Sequence, residues 1–315
     1  MIHQMQLDPF GYCNAACWFC PVKYHDLPKQ TKTHMSKELL DKILDNVLEQ
    51  KGKLVADRFN GIYTAHFNEV LLYRHLEYLF EALRKRKLGT IVLTNGTPLT
   101  PEKTNLIAAY KDVVWGVCCN TPAFEKELWA KRSGISSNEF EKLLDNLSYA
   151  DSVFRNNKGY FSIQVNGADD HSDYMIRGDD FPDISNTEIV EQYRLACKLF
   201  PNSNVFTVPN LIDRSGLLPV SVFQNKIDRK AGPNVIGCLN GAEIGGRPNG
   251  WLHVNSIGEA FLCCNDYNYE HKFGDFKTQK LEEFWENRTS VIDHAKKTIC
   301  SKCASAEWGY NKNLN

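Results

Sequence analysis

Short apolar and β-branched runs alternate with helical stripes over the first two thirds of the chain. No other feature narrows the available folds as much. The runs cover residues 5–7, 54–59, 90–94, 113–119, 160–165 and 205–208. Between them, Leu40, Ile43 and Val47, then Leu76, Leu79, Phe80 and Leu83, then Phe140, Leu143, Leu144 and Leu147 recur at helical spacing. Ser36 and Thr100 stand where N-caps belong. This alternation predicts an α/β fold of parallel βαβ units with right-handed crossovers. Six strands fall short of a closed eight-stranded barrel, so a partial barrel or an open sheet is expected. In either, ligands gather at the C-terminal ends of the strands.

The pattern changes near residue 210. Residues 210–250 are rich in Gly, Pro and Asn and have little periodicity. Residues 251–255 and 259–263 then flank Ser256-Ile257-Gly258, which reads as a β-hairpin with Gly at its turn. Residues 281–287 read as a short helix with Leu281, Phe284 and Trp285 on one face. The expected division is a core over 1–210, a connector over 211–237 and a C-terminal extension over 238–315. With 37 basic and 38 acidic residues the net charge is −1, which gives no basic footprint for nucleic acid or an anionic membrane. No run approaches the roughly 18 apolar residues of a membrane span. The first residues show neither a basic stretch nor a long apolar stretch of the secretory kind, so a cytoplasmic protein is expected.

The 11 cysteines are clustered. Without a secretory signal, such clusters read as metal or cofactor ligands rather than disulfides. Cys13-Asn-Ala-Ala-Cys17-Trp-Phe-Cys20 follows the first strand directly, which places it at the ligand end of the sheet. Three thiolates on one loop can hold three irons of a cubane and leave the fourth iron open. A zinc site is the competing reading, but it calls for four ligands and favours pairs. Further along, Cys238, Cys263, Cys300 and Cys303 make a four-thiolate set, in which the neighbouring Cys264 can substitute for Cys263. A structural zinc site competes here as well. Cys118, Cys119 and Cys197 fall within a strand and a helix and read as core. The acidic stretch Asp169, Asp170, Asp173, Asp179 and Asp180 follows the fifth strand and reads as a solvated loop.

Cys-x3-Cys-x2-Cys after an N-terminal strand, with an aromatic before the last Cys, resembles the radical S-adenosylmethionine superfamily. The resemblance implies a partial (β/α)6 barrel. It also implies that Cys13, Cys17 and Cys20 ligate a [4Fe-4S] cluster whose open iron chelates S-adenosylmethionine, with Phe19 near the adenine. In that family one electron cleaves the sulfonium and releases a 5′-deoxyadenosyl radical, which abstracts a substrate hydrogen. Further resemblances place cofactor contacts at Glu69, Asn95 and Arg132, while Asn120 and Asn166 end the fourth and fifth strands, where a polar group either meets the cofactor's ribose or serves as a strand-terminating turn residue. Glu69 stands in Phe67-Asn68-Glu69-Val70, the counterpart of a Gly-Gly-Glu-Pro-like motif, without its glycines and proline. Its carboxylate would meet the cofactor's amino group. Asn95 belongs to Thr94-Asn95-Gly96-Thr97, and Arg132 to Trp129-Ala-Lys-Arg132-Ser-Gly134, where its planar fork suits a carboxylate.

The C-terminal extension, a small hairpin-plus-helix region, resembles the SPASM/twitch iron–sulfur extension of the same enzymes. This implies one auxiliary [4Fe-4S] cluster on Cys238, Cys263, Cys300 and Cys303. Enzymes with the twitch type include an aminocyclitol dehydrogenase that oxidises an alcohol to a ketone. The resemblance therefore points to an oxidoreductase acting on a hydroxylated small molecule such as a sugar or cyclitol. A reductant such as flavodoxin or ferredoxin would serve it. The position of Cys13, almost at the start, favours a small molecule over a peptide that needs a leader-binding extension. Radical modification of a ribosomal peptide is the alternative reaction. A non-catalytic iron–sulfur or zinc-binding protein is the alternative of another class.

Overall fold

The computed structural model describes residues 1–166, 188–208, 214–218 and 234–309. In chain order its elements are β1 (Gln4–Leu7), α1 (Lys37–Glu49), β2 (Gly61–Tyr63), α2 (Leu76–Lys85), β3 (Gly89–Thr94), α3 (Pro101–Ala109) and β4 (Val114–Thr121). There follow α4 (Lys126–Ser133), α5 (Phe140–Phe154), β5 (Phe161–Asn166), α6 (Glu188–Leu199) and β6 (Asn204–Val208). The last third holds β7 (Asn234–Cys238), α7 (Arg247–Gly250), β8 (Trp251–Val254), β9 (Glu259–Phe261), β10 (Lys272–Asp275), α8 (Leu281–Phe284), α9 (Arg288–Lys297) and β11 (Ala306–Gly309). The acidic stretch from Asp169 to Asp180 lies outside the described residues, as does most of the 211–237 connector.

The chain divides into two units. One comprises Met1–Gly11, Tyr24–His66 and Ile212–Asn315, and the other Tyr12–Lys23 and Phe67–Leu211. In the second unit, β3, β4, β5 and β6 run parallel in sequence order. Their outer residues Val92, Val117, Cys119, Ile163 and Val205 are buried, as period-two alternation requires. Helices cover that face with the expected stripes: Leu79, Phe80 and Leu83 on α2, and Phe140, Leu143 and Leu147 on α5 are all buried. Leu144 is only half-buried. Thr100 caps α3 by accepting from the Lys103 N–H.

In the first unit, the strand order is β10-β9-β8-β1-β2, with β2 and β8 both parallel to β1. Ser36 caps α1 by accepting from the Leu39 N–H, and Leu40, Ile43 and Val47 are buried. β8 and β9 form the expected antiparallel hairpin. Its turn is held by Asn255, whose side-chain oxygen accepts from the Ile257 and Glu259 N–H groups, with Gly258 at φ +87°. The hairpin is not freestanding, because β8 pairs with β1 over four residues. Asn46 on α1 also accepts from the buried Leu281 N–H of α8. β7 and β11 form a separate antiparallel pair.

One strand expectation is corrected. Residues 54–59 are not a strand, and β2 lies at Gly61–Tyr63. The N–H groups of Leu54 and Val55 turn back to the Gln50 carbonyl, which breaks the extended run. Val55 and Phe59 are buried as the apolar pattern demands, but they are buried from a turn. β7, β10 and β11 are short strands that the sequence pattern did not announce.

Candidate active site

The three-thiol loop and the residues singled out for cofactor contact all lie in the second unit. Backbone bonds clamp the loop to the end of α4: the Ala16 N–H donates to the Ser133 carbonyl and the Trp18 N–H to the Arg132 carbonyl, both at 2.8 Å. α4 can stop there because Gly134 takes φ +69°. A Cβ at Gly134 would lie 2.9 Å from both the Cβ and the carbonyl oxygen of Ala16, so only glycine permits this approach. Cys13, Cys17 and Cys20 are half-buried. Burial, followed by the charge of Glu69, pushes the Cys13 thiol up to about 12. Burial, followed by Cys20 and Cys13, raises Cys17 well above the ordinary range. Cationic irons would reverse that balance. Phe19 is half-buried, edge-on to Trp18 with ring centroids 6.2 Å apart.

Glu69 is 1% exposed. Its carboxylate accepts from the Leu71 N–H at 3.2 Å and from the Asn95 N–H at 2.7 Å. Burial nevertheless dominates and raises its pKa to about 7. The Asn95 side chain joins the loop: its Nδ2 donates to Asn14 Oδ1 at 2.8 Å and lies 3.9 Å from Cys13 Sγ. Its Oδ1 accepts from the Thr97 N–H and Oγ1. Asn14 and Thr97 were not singled out from the sequence. They are linked by a 2.9 Å hydrogen bond across 83 residues, a juxtaposition that no local pattern carries.

Asn120 and Asn166 meet at the C-terminal ends of β4 and β5, where Asn166 Nδ2 donates to Asn120 Oδ1 at 2.5 Å. Gln164 Nε2 donates to Asn166 Oδ1 at 2.6 Å. Register pairs Cys118 with Ser162 and Asn120 with Gln164, which forms a polar row on the face opposite the helices. Cys118 belongs to that row, whereas Cys119 points into the apolar core and Cys197 on α6 is half-buried. Arg132 is buried, with Nη2 2.5 Å from Glu188 Oε1 and its guanidinium 5.7 Å from the Trp18 ring. The guanidinium is thus already matched to a carboxylate of this chain.

The second thiol set lies in the first unit. Cys238, Cys263, Cys264, Cys300 and Cys303 line one pocket of about 420 Å³, its open mouth included. Cys238 ends β7 opposite Ala306, Cys263 follows β9, and Cys300 and Cys303 flank one 3-10 turn. Burial raises Cys238, lifts Cys300 to about 12 and raises Cys263 well above the ordinary range. N–H donors surround the sulfurs: Arg247 Nη1 reaches Cys264 Sγ at 2.7 Å, and Asn265 Nδ2 reaches Cys303 Sγ at 3.2 Å. The Ser305 N–H reaches Cys303 at 3.4 Å. Five thiols lining one pocket, with donors behind two of the sulfurs, fit an iron–sulfur cluster. Among the described residues, no group of three or more His, Cys, Asp or Glu side chains is placed so as to hold a metal ion.

The family model described as the radical SAM superfamily matches residues 7–177, and an iron-sulfur cluster-binding domain model, SPASM, matches residues 246–304. The chain belongs to the radical S-adenosylmethionine superfamily. No curated protein is significantly similar to it. Among solved structures, BtrN in complex with AdoMet and 2-DOIA is 13% identical at a TM-score of 0.55, covering 97% of this chain and 91% of BtrN. Streptococcus suis SuiB bound to precursor peptide SuiA is 14% identical at 0.63, covering 96% of this chain and 70% of SuiB. AdoMet-bound anSMEcpe is 15% identical at 0.56, covering 96% and 88%. These likenesses share the fold. The chain is a radical S-adenosylmethionine enzyme with a SPASM domain, and S-adenosylmethionine, a [4Fe-4S] cluster and auxiliary iron–sulfur binding come with that membership.

Proposed function

We propose that the chain oxidises a hydroxylated small molecule, a sugar or cyclitol, by removing a hydrogen atom and then an electron. The observation that carries this reading is the polar row of Cys118, Asn120, Gln164 and Asn166 across β4 and β5, where a purely structural sheet would be apolar. Amide groups in that position match the paired donors and acceptors of hydroxyl groups.

Cys13, Cys17 and Cys20 are the ligands of the first cluster in this reading. Cys238, Cys263, Cys300 and Cys303 hold the second, with Cys264 as the alternative to Cys263. Bound S-adenosylmethionine and its cluster supply a radical that removes a hydrogen atom from the substrate. Glu69 and Asn95 orient the amino-acid end of the cofactor, and Phe19 covers its adenine. Asn120 and Asn166 meet its ribose or the substrate hydroxyls. Arg132 reaches a cofactor carboxylate only by exchanging Glu188 for it. N–H donors around Cys264 and Cys303 favour added negative charge, which suits that pocket to accept the surplus electron. The core over 1–210 and the extension over 238–315 divide these tasks. The enzyme works in the cytoplasm with a flavodoxin or ferredoxin as electron donor. Among the described residues no helix is long and apolar enough to cross a membrane.

The test is anaerobic purification with measurement of iron, sulfide and zinc, then reductant and S-adenosylmethionine. Iron and sulfide at both sites and release of 5′-deoxyadenosine are expected. Offered 2-DOIA and related cyclitols, the enzyme should give one 5′-deoxyadenosine per oxidised product, without return of the abstracted hydrogen. Zinc in place of iron, or return of deuterium to a redox-neutral product, would overturn the reading.

A further inference from the structure

Asp8, His66 and His253 form a hydrogen-bonded chain inside the first unit. Asp8 follows β1, His66 follows β2 and His253 lies in β8. The register sets Gln6 opposite both Tyr63 and His253, which brings the three residues together. All three side chains are buried, at 2% exposure for Asp8 and 0% for both histidines. One carboxylate oxygen of Asp8 accepts from the His66 backbone N–H at 3.1 Å, and the other lies 3.1 Å from His66 Nδ1. His66 Nε2 lies 2.8 Å from His253 Nδ1.

Proton positions follow from counting donors. With the Asp8 carboxylate accepting, His66 carries its proton on Nδ1 and presents a lone pair at Nε2. His253 must then donate from Nδ1, which leaves a bare lone pair at its own Nε2. That atom is buried and has no hydrogen-bond partner among the described residues. A buried acceptor left open in this way calls for an explanation.

Its surroundings point to the thiol pocket. The Trp251 ring lies nearly parallel to His253, with centroids 5.8 Å apart. The guanidinium of Arg247, on α7, stacks 4.1 Å from the Trp251 ring and donates to Cys264 Sγ. The charge of Arg247 also acts on His253 and, after burial and His66, holds its pKa below the ordinary value. From β9, Phe261 packs against both imidazoles. The Tyr269 phenol lies near Asp8, and its other charged or titratable neighbours are Tyr267, Asp266 and Glu259.

We propose that Asp8, His66 and His253 form a proton relay coupled to the auxiliary thiol pocket. His253 Nε2 takes up one proton when one electron enters that pocket. Its Nδ1 proton passes to His66 Nε2, which leaves an imidazolium beside the Asp8 carboxylate. This rests on the reading that the pocket holds an electron-accepting cluster, and it names the proton partner of that step. The balance closes: a hydroxyl-bearing carbon radical that becomes a ketone loses one electron and one proton. The pocket takes up one electron and the relay one proton, in that same ratio, so the buried region gains no net charge.

The test needs no substrate. The full chain, loaded anaerobically with iron and sulfide, is titrated for the auxiliary-cluster potential by electron paramagnetic resonance between about pH 6 and about pH 8. The wild type should shift by about 59 mV per pH unit, the one-electron equivalent of a tenfold change in proton activity. His253→Gln and His66→Gln should each flatten that slope and leave the N-terminal cluster unchanged as internal reference. A flat wild-type profile, or an unchanged slope in both variants, overturns the relay. If neither variant loads iron, the wild-type slope alone decides. A Cys300→Ala/Cys303→Ala protein with the same iron content as wild type overturns the cluster assignment instead.

Discussion

The two thiol sites are built in opposite ways. The N-terminal one takes three sulfurs from a single short loop, held by two backbone bonds to the end of α4. The C-terminal one collects its sulfurs from β7, the segment after β9 and the turn beyond α9. A local site can form once its loop is placed. A site assembled from distant segments exists only when its whole unit has folded, so metal binding there is also folding energy. The sulfur environments differ too. Backbone hydrogen bonds meet Cys13 and Cys17, with Asn95 Nδ2 at 3.9 Å from Cys13, whereas side-chain donors from Arg247 and Asn265 reach Cys264 and Cys303 at 2.7 and 3.2 Å, joined by the Ser305 N–H at 3.4 Å. Donors to sulfur favour the reduced state.

Replacing Cys13, Cys17 and Cys20 together with Ala should break one side of the comparison outright. 5′-Deoxyadenosine formation should vanish while the C-terminal iron remains, as read by product assay and iron content. Unchanged cofactor cleavage would remove the N-terminal assignment. Cys300→Ala/Cys303→Ala should do the reverse. Its auxiliary iron and the thermal stability of its unit should fall, with cofactor cleavage retained and oxidised product lost.

Glu69→Gln sharpens the comparison on the cofactor side. Losing a charge-assisted hydrogen bond of ~1.5–3 kcal/mol should weaken S-adenosylmethionine binding by about one to two decades in a calorimetric titration. The pH dependence has a definite sign. With its pKa raised to about 7, Glu69 stabilises the cofactor-free fold when protonated, an effect present below about pH 4.5 and lost as pH rises through about 7. A donor from the cofactor's amino group favours the ionised form, so affinity should rise with pH through that same window. In the Gln variant that rise should be absent. Gly134→Ala should have the smallest effect. Strain at φ +69° and the clash with Ala16 should cost about 1–3 kcal/mol and lower Tm by a few degrees. Cofactor binding should weaken with no change in C-terminal iron.

Most strands and helices were legible because their apolar residues recur at periods of two or 3.6, as in β3 to β6 and the α2 and α5 stripes. Residues 54–59 misled because Val55 and Phe59 are buried from a turn, and burial alone leaves the same apolar signature as a strand. β7 and β11 are short and derive their order from each other, so neither carries a pattern of its own. The thiol clusters were visible because spacing and residue type suffice to mark them. The pairing of Asn14 with Thr97 joins two loops 83 residues apart, and the burial of Asp8, His66 and His253 together arises from strand register over long separations. Each of those residues is ordinary until its partner is in place.

The bonds between the thiol loop and α4 bear on transplantation. Ala16 and Trp18 are anchored to the carbonyls of Ser133 and Arg132, and the contact of Gly134 with Ala16 fixes how closely the two segments approach. A graft of residues 13–20 into another parallel sheet would carry the ligands without the surface that shapes them. The transferable piece is the loop together with residues 126–134, two fragments separated by more than a hundred positions. A crossover between the loop and α4 should therefore be tolerated only where the parent giving the loop supplies a small residue at position 16 and the parent giving α4 supplies a glycine at position 134.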